Sequence, residues 1–295
     1  DLIDHLKLSK GRLTLQSKNY IIRLTKYEYS LLKENWMKKY IIACMMFLFA
    51  NTSYAGNTTV VNAGSDSGAF NQILTMMSEK LDNSSFIQAN NPVVAGTHFD
   101  KGNVLTVWST EWPGDSSLPS VTMDKNTIIG VTAYETILCS RTYNSLSDMS
   151  GESLKIATWG KSPAVEKFLS DLAKSNNFDF EIVPYDGSGA TTRGYLGKDA
   201  DTIFTIQTKQ AKVEADGNCF AFSSKGDLDF AFVDVIVTVG AENGTVEELR
   251  SVLTDLTTTE AWQTAFAGSA TYVMNDDNAT SLVNKVEAAV ALNSN

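Results

Sequence analysis

The chain has 295 residues, 34 of them acidic and 24 basic, for a formal net charge of −10. Beyond residue 55 the imbalance sharpens to 30 acidic against 15 basic side chains, a net charge of −15. So acidic a surface argues against nucleic acid and against anionic membranes as partners, because both are captured by basic patches.

The opening reads as two segments that precede the working protein. Arg12-Leu13-Thr14-Leu15 and Leu24-Thr25-Lys26-Tyr27-Glu28-Tyr29-Ser30-Leu31-Leu32 resemble the start of the winged-helix output domain of response regulators. No recognition helix follows, so residues 1–36 are expected to be a leader without a DNA-binding role. Met37-Lys38-Lys39-Tyr40 is short and basic, Ile41 to Ala50 is apolar and uncharged, and Ser53-Tyr54-Ala55 ends the stretch with a small-x-small pattern. That order predicts a secretory signal peptide over 37–55. The apolar run is shorter than the roughly 20 residues of a membrane-spanning helix. Cleavage before Cys44 would leave almost no apolar segment, so lipidation there is not expected. Export to the periplasm follows. Cys139 and Cys219 then form an even pair in a compartment where disulfides persist, and a bridge is expected over two buried thiols.

The remaining chain alternates strands and helices. Strands are expected at 58–61, 86–87, 104–108, 128–131, 136–139, 154–158, 180–183, 200–204, 220–222, 230–233 and 271–273. Helices are expected at 69–81, where Phe70, Ile73, Leu74, Met77 and Leu81 share a face, and at 163–174, 207–215, 246–256, 260–266 and 279–292, with one more after the Gly-rich loop at 187–189. Such alternation predicts an α/β architecture with mainly parallel sheets, which bind ligands at the carboxyl ends of their strands.

The loops at those ends are rich in small residues. Gly64-Ser65-Asp66-Ser67-Gly68 lies between a strand and a helix start, where free N–H groups and the helix dipole favour an anion. It matches neither a dinucleotide nor a P-loop fingerprint. Tyr185-Asp186-Gly187-Ser188-Gly189-Ala190 repeats the design, with Arg193 one turn into its helix. Arg193 can serve as a ligand cation or as part of a solvated face. In Trp159-Gly160-Lys161-Ser162-Pro163, Ser162 can cap a helix that begins with Pro163, and Trp159 can stack on a ligand or fill core. Ser109 and Thr110 follow a strand in a fourth loop that continues into Glu111 and Trp112.

Enzyme readings find little support. His98 is the one histidine after residue 55, so a serine hydrolase would need it beside Ser65 or Ser67 without a Gly-x-Ser-x-Gly elbow. No metal motif occurs. A carboxylate pair is possible among so many acids, but no spacing singles one out. No catalytic residue, metal or cofactor is assigned.

Val183-Pro184-Tyr185-Asp186-Gly187-Ser188-Gly189-Ala190, then Gly197-Lys198-Asp199-Ala200-Asp201, with Ser145-Leu146-Ser147-Asp148-Met149 upstream, resemble the substrate-binding proteins of tripartite tricarboxylate transporters. The first loop departs from that pattern, with Gly68 where the family has Asp, and the loop at 90–98 is shortened. The resemblance implies a two-lobed periplasmic-binding-protein fold of type II, with two mainly parallel sheets flanked by helices. Lobe one would comprise residues 56–132 plus 228–295 and lobe two 133–227, hinged near Ala133 and Asp227. It implies a monomer that delivers a small carboxylate to integral-membrane permease subunits. The resemblance implies a ligand held by backbone amides of Gly64, Ser65, Asp66, Ser67 and Gly68 and of Gly187, Ser188, Gly189 and Ala190; the loops read above add Ser109, Thr110, Trp159, Ser162, Tyr185 and Arg193 as expected ligand residues. An amino acid or another solute of a different transporter is the alternative.

Overall fold

A computed structural model describes residues 57–113, 115–221 and 232–294. The leader, the signal peptide, the hinge position Asp227 and the strand positions 222, 230 and 231 lie outside the described residues. Two sheets organise the rest. The first comprises β1 (Thr58–Asn62), β2 (Ser84–Gln88), β3 (Val104–Ser109), β4 (Ile128–Tyr134), β10 (Val233–Val239) and β11 (Ser269–Val273), in the order β11-β4-β10-β3-β1-β2. The second comprises β5 (Thr136–Ser140), β6 (Ser153–Thr158), β7 (Asp179–Pro184), β8 (Thr202–Ile206) and β9 (Asn218–Ala221), in the order β7-β6-β8-β5-β9.

The sheets are mixed rather than mainly parallel. Pairs reached through a helix are parallel: β1 with β2 and β3, and β6 with β7 and β8. A crossover long enough to hold a helix returns the chain to the same edge in the same direction. The strands that carry the chain between sheets have no such crossover. β4 runs into β5 through Glu135 alone, and β4, β5, β9, β10 and β11 all pair antiparallel. The Glu135 amide donates to the Gly268 carbonyl (2.9 Å) and its carbonyl accepts from Gln207 (2.7 Å), so the connecting residue is tied on both sides.

Helices cover both faces of each sheet, which is why the central strands are apolar without a polar side. In β10, Ile236 faces one core with Leu249 and Leu253 of α6 (Asn243–Thr257) and Ile73 and Met77 of α1 (Ala69–Ser78). Its neighbours Val235 and Val237 face the other core with Leu282 and Val286 of α8 (Ala279–Asn293). In the second sheet, Ile156 packs with Val165 and Leu169 of α3 (Pro163–Asn176), while Ala157 and Ile203 pack with Tyr195 of α4 (Gly187–Leu196). The two-residue strand period assigns each side chain to its face. As the spacing predicts, Ser162 caps α3 by accepting from the Val165 amide (3.2 Å), with Pro163 at the first position.

Three elements differ most from the sequence expectation, beyond shifts of a few residues at element ends such as Thr202–Ile206 for the strand expected at 200–204. The run 207–215 is broken into two single 3₁₀ turns around a short helix, α5 (Gln210–Val213), and Lys209 lies inward. A short helix, α2 (Pro92–Gly96), forms in the shortened loop, capped by Asn91. β10 spans Val233–Val239, well past the expected end at 233, paired along its length with β3 and β4. The remaining helix, α7 (Glu260–Ala265), follows expectation. Among the described residues, no helix is long and apolar enough to cross a membrane.

Cys139 and Cys219 stand directly opposite on β5 and β9, 4.0 Å apart at Cα, and form a disulfide. The bridge closes a sequence separation of 80 residues. Restricting so long a loop in the unfolded chain is worth about 4 kcal/mol by loop-closure entropy. The double substitution Cys139→Ser with Cys219→Ser is therefore expected to lower the urea-unfolding free energy by about 2–4 kcal/mol, and an unchanged midpoint would refute that contribution.

Candidate functional site

A cavity of about 170 Å³ lies between the two sheets' loop ends. The first sheet supplies Gly64, Ser65, Gly68 and Phe70 from the β1–α1 loop and helix start, Ser109 at the end of β3 with Glu111 and Trp112 beyond it, and Tyr134 and Asp234 from β4 and β10. The second sheet's segments supply Trp159, Asp186, Gly187 and Ser188, with Ile206 at the end of β8. Phe232 and Val233 complete the wall, with Asn90 and Pro92 at the mouth of the shortened loop.

Asn62, fully buried, shapes the first loop. Its amide donates to Gln88 Oε1 (2.9 Å) and Asn71 Oδ1 (3.2 Å), and its oxygen accepts from the Gly64 amide (3.0 Å). The Gly68 amide donates to the Ser65 carbonyl (3.1 Å), and the Gly187 amide to the Trp159 carbonyl (3.2 Å). These three glycine amides are thus used within the protein. The donors left for a ligand are the first-turn amides of α1 and α4, which have no intrahelical acceptors. Neither helix start receives a side-chain cap hydrogen bond; Gly68 holds the N-cap position of α1 and Asp186 that of α4. The Ser65 hydroxyl, buried and without a hydrogen-bond partner, faces Gly187 across the gap.

The expected site residues divide into three groups. Gly64, Ser65, Gly68, Ser109, Trp159, Gly187 and Ser188 line the cavity. Ser67, Ser162, Gly189 and Arg193 join the two halves beside it. Arg193 Nη1 donates to Ser67 Oγ (2.8 Å), Lys209 Nζ donates to the Ser67 carbonyl (3.2 Å), and a Cβ on Gly189 would stand 2.2 Å from Ser67 Oγ. Burial, then the charge of Lys212, pulls the Lys209 ammonium down to about 8. Asp66, Thr110, Tyr185 and Ala190 do not line the cavity. Asp66 is exposed, buried Thr110 donates to the Val233 carbonyl (3.2 Å), and Tyr185 donates to Asp199 (3.0 Å). His98 precedes the turn Phe99–Lys101 and is not part of the cavity wall, so the hydrolase reading has no base placed there.

Sequence reasoning did not single out Glu111 and Asp234. They are 123 positions apart, and only the antiparallel pairing of β3 with β10 brings them to one wall. Glu111 crosses between the halves: its carboxylate accepts from Ser162 Oγ (2.7 Å) and Trp159 Nε1 (3.1 Å). Burial raises its pKa, partly offset by those bonds. Burial pushes Asp234 up to about 8; the Tyr134 hydroxyl bonded to it works the other way, and the charge of Glu111 adds to the rise.

No protein-family profile matches the chain, and no curated protein sequence does. Solved structures do. A protein of R. palustris solved with adipate superposes with TM-score 0.58 at 10% identity, covering 80% of this chain and 94% of its own. MatC of Rhodopseudomonas palustris with bound malate gives 0.54 at 11% identity, covering 81% and 97%. A TctC solute-binding protein from Polaromonas, without ligand, gives 0.50 at 11% identity, covering 80% and 96%. The fold is that of the two-lobed periplasmic solute-binding proteins. In that fold the cavity occupies the cleft between lobes.

Two outcomes follow from this geometry. An acid whose pKa is higher folded than unfolded costs stability as pH climbs from the unfolded value near 4 toward the folded one. Asp234→Asn is therefore expected to raise the melting temperature at pH 8.5 and to have little effect at pH 4; the opposite order would refute the buried, uncompensated carboxylate. Gly189→Ala favours its helix by roughly 0.5–1 kcal/mol in isolation, yet its methyl collides with Ser67. The variant is expected to fold normally and to show a larger radius of gyration by small-angle scattering. An unchanged radius would remove Gly189 from the lobe contact.

Proposed function

We propose that this protein is an exported solute-binding protein that encloses a small carboxylic acid between its lobes and hands it to permease subunits of a membrane transporter. The observation that carries the reading is the meeting of two helix starts without a side-chain cap bond, α1 and α4, at one cavity beside the unpartnered Ser65 hydroxyl. Orphan amides and helix dipoles make such ends anion sites without a basic side chain. The fold shared with proteins solved with malate and adipate supports it.

The lobes are taken as residues 56–132 with 228–295, and 133–227, moving about a hinge near Ala133 and Asp227. Closure would make the Ser67–Arg193, Ser67–Lys209 and Glu111–Ser162 contacts, and opening would break them. Export would proceed from the signal peptide at 37–55, and N-terminal sequencing of the secreted product is expected to begin at Gly56. Binding without turnover distinguishes this reading from an enzyme.

The purified protein is expected to show a raised melting temperature with at least one small carboxylic acid, tested with and without amino substituents. At 100 times the dissociation constant, the gain is about 2.7 kcal/mol. If no carboxylic acid stabilises the protein at millimolar concentration, the proposal fails.

A further inference from the structure

The cavity wall has a second chemical character that a simple carboxylate ligand does not use. Glu111, Asp186 and Asp234 all line it, and among the described residues no Lys, Arg or His does. The partners of the two buried acids are neutral: Trp159 Nε1 and Ser162 Oγ for Glu111, and the Tyr134 hydroxyl for Asp234. The nearby cations, Arg193 and Lys209, are engaged with Ser67 outside the wall. Buried carboxylates without a counter-cation are costly, and a cation placed among them recovers that cost.

Aromatic rings frame the same space. Phe70 and Trp112 meet edge to face at 5.3 Å, and Trp159 and Phe232 do so at 5.0 Å. All four line the cavity. Aromatic faces attract cations that approach within about 6 Å. The cavity volume of about 170 Å³ suits a small solute.

We infer that the enclosed solute is a small zwitterion: its carboxylate meets the starts of α1 and α4 beside the Ser65 hydroxyl, and its ammonium group meets Glu111 and Asp234 between the aromatic rings. This deepens the solute-binding reading and rests on it. A dicarboxylate would put its second anion beside acids already strained by burial. It could enter only with a proton on Asp234, so its affinity would fall as pH rises. An ammonium guest needs Asp234 ionised, so its affinity rises with pH and binding releases a proton. Glu111, Tyr134 and Asp186 are the other titratable groups facing that space, and each either adds negative charge or donates neutrally.

The test is calorimetric titration of the purified protein at pH 6 and pH 8. The probes are alanine, β-alanine and γ-aminobutyrate, the matching amine-free acids propionate and butyrate, and the dicarboxylates succinate and malate. At least one amino acid is expected to bind, more tightly at pH 8. Its amine-free counterpart should be weaker by at least about 30-fold, the lower end of the cost of an unmatched buried charge. Asp234→Asn and Glu111→Gln should each weaken the amino acid by about the same factor while circular dichroism stays native; two variants guard against one failing to fold. Amino-acid binding indifferent to both variants overturns the inference. Dicarboxylate binding that weakens from pH 6 to pH 8, with no amino acid bound, overturns it and leaves the solute-binding reading standing. Failure of every carboxylic acid overturns both.

Discussion

The chain passes from one sheet to the other through a single residue, Glu135, held by backbone bonds to Gly268 and Gln207. That passage is the constraint on which the rest depends. β5 continues directly from β4 and enters the second sheet antiparallel to β8, while β10 enters the first sheet antiparallel to both β3 and β4, so both sheets become mixed. The passage also sets the two sheets with their loop ends facing a common cleft. The return strand β10 then lies against β3 and β4, and Asp234 arrives beside Glu111 for no reason of local sequence.

The cleft is held by polar contacts that meet at a few atoms. Ser67 receives Arg193 through its hydroxyl and Lys209 through its carbonyl, while Glu111 receives Ser162 and Trp159. Ser162 serves twice, capping α3 and donating across the cleft. The contacts of Ser67 with Arg193 and Lys209, and of Glu111 with Ser162 and Trp159, each join segments of the two halves. Hydrogen bonds exchanged for bonds to water are individually worth about 1 kcal/mol.

Electrostatics give the site two characters in one small volume. Helix starts offer positive potential from backbone amides, while three carboxyl groups line the wall without a basic side chain among the described residues. The whole molecule is strongly acidic, so the positive component has to be local. Helix starts without a side-chain cap bond supply it without adding a basic residue to the wall. The Ser65 hydroxyl has no hydrogen-bond partner, and Asp234 is bonded to the neutral Tyr134 hydroxyl, with its pKa raised by burial.

Much was legible in the sequence because it rests on short-range chemistry. The apolar period of α1, the Ser162–Pro163 helix start, the small residues of the 64–68 and 187–190 loops, and the pairing of two cysteines all follow from neighbours within a turn or from compartment. Seven of the loop residues so found line the cavity. What the tertiary structure alone decided lies in contacts between distant segments. The strand expected at 230–233 instead runs over Val233–Val239, with Asp234 on the cavity wall. Gly64, Gly68 and Gly187 carry the right shape for ligand amides, yet their own loops consume those donors. Glu111 and Asp234 are ordinary acids in a chain full of them. Only long-range antiparallel pairing puts them on one wall, away from water, where charge becomes expensive and therefore selective.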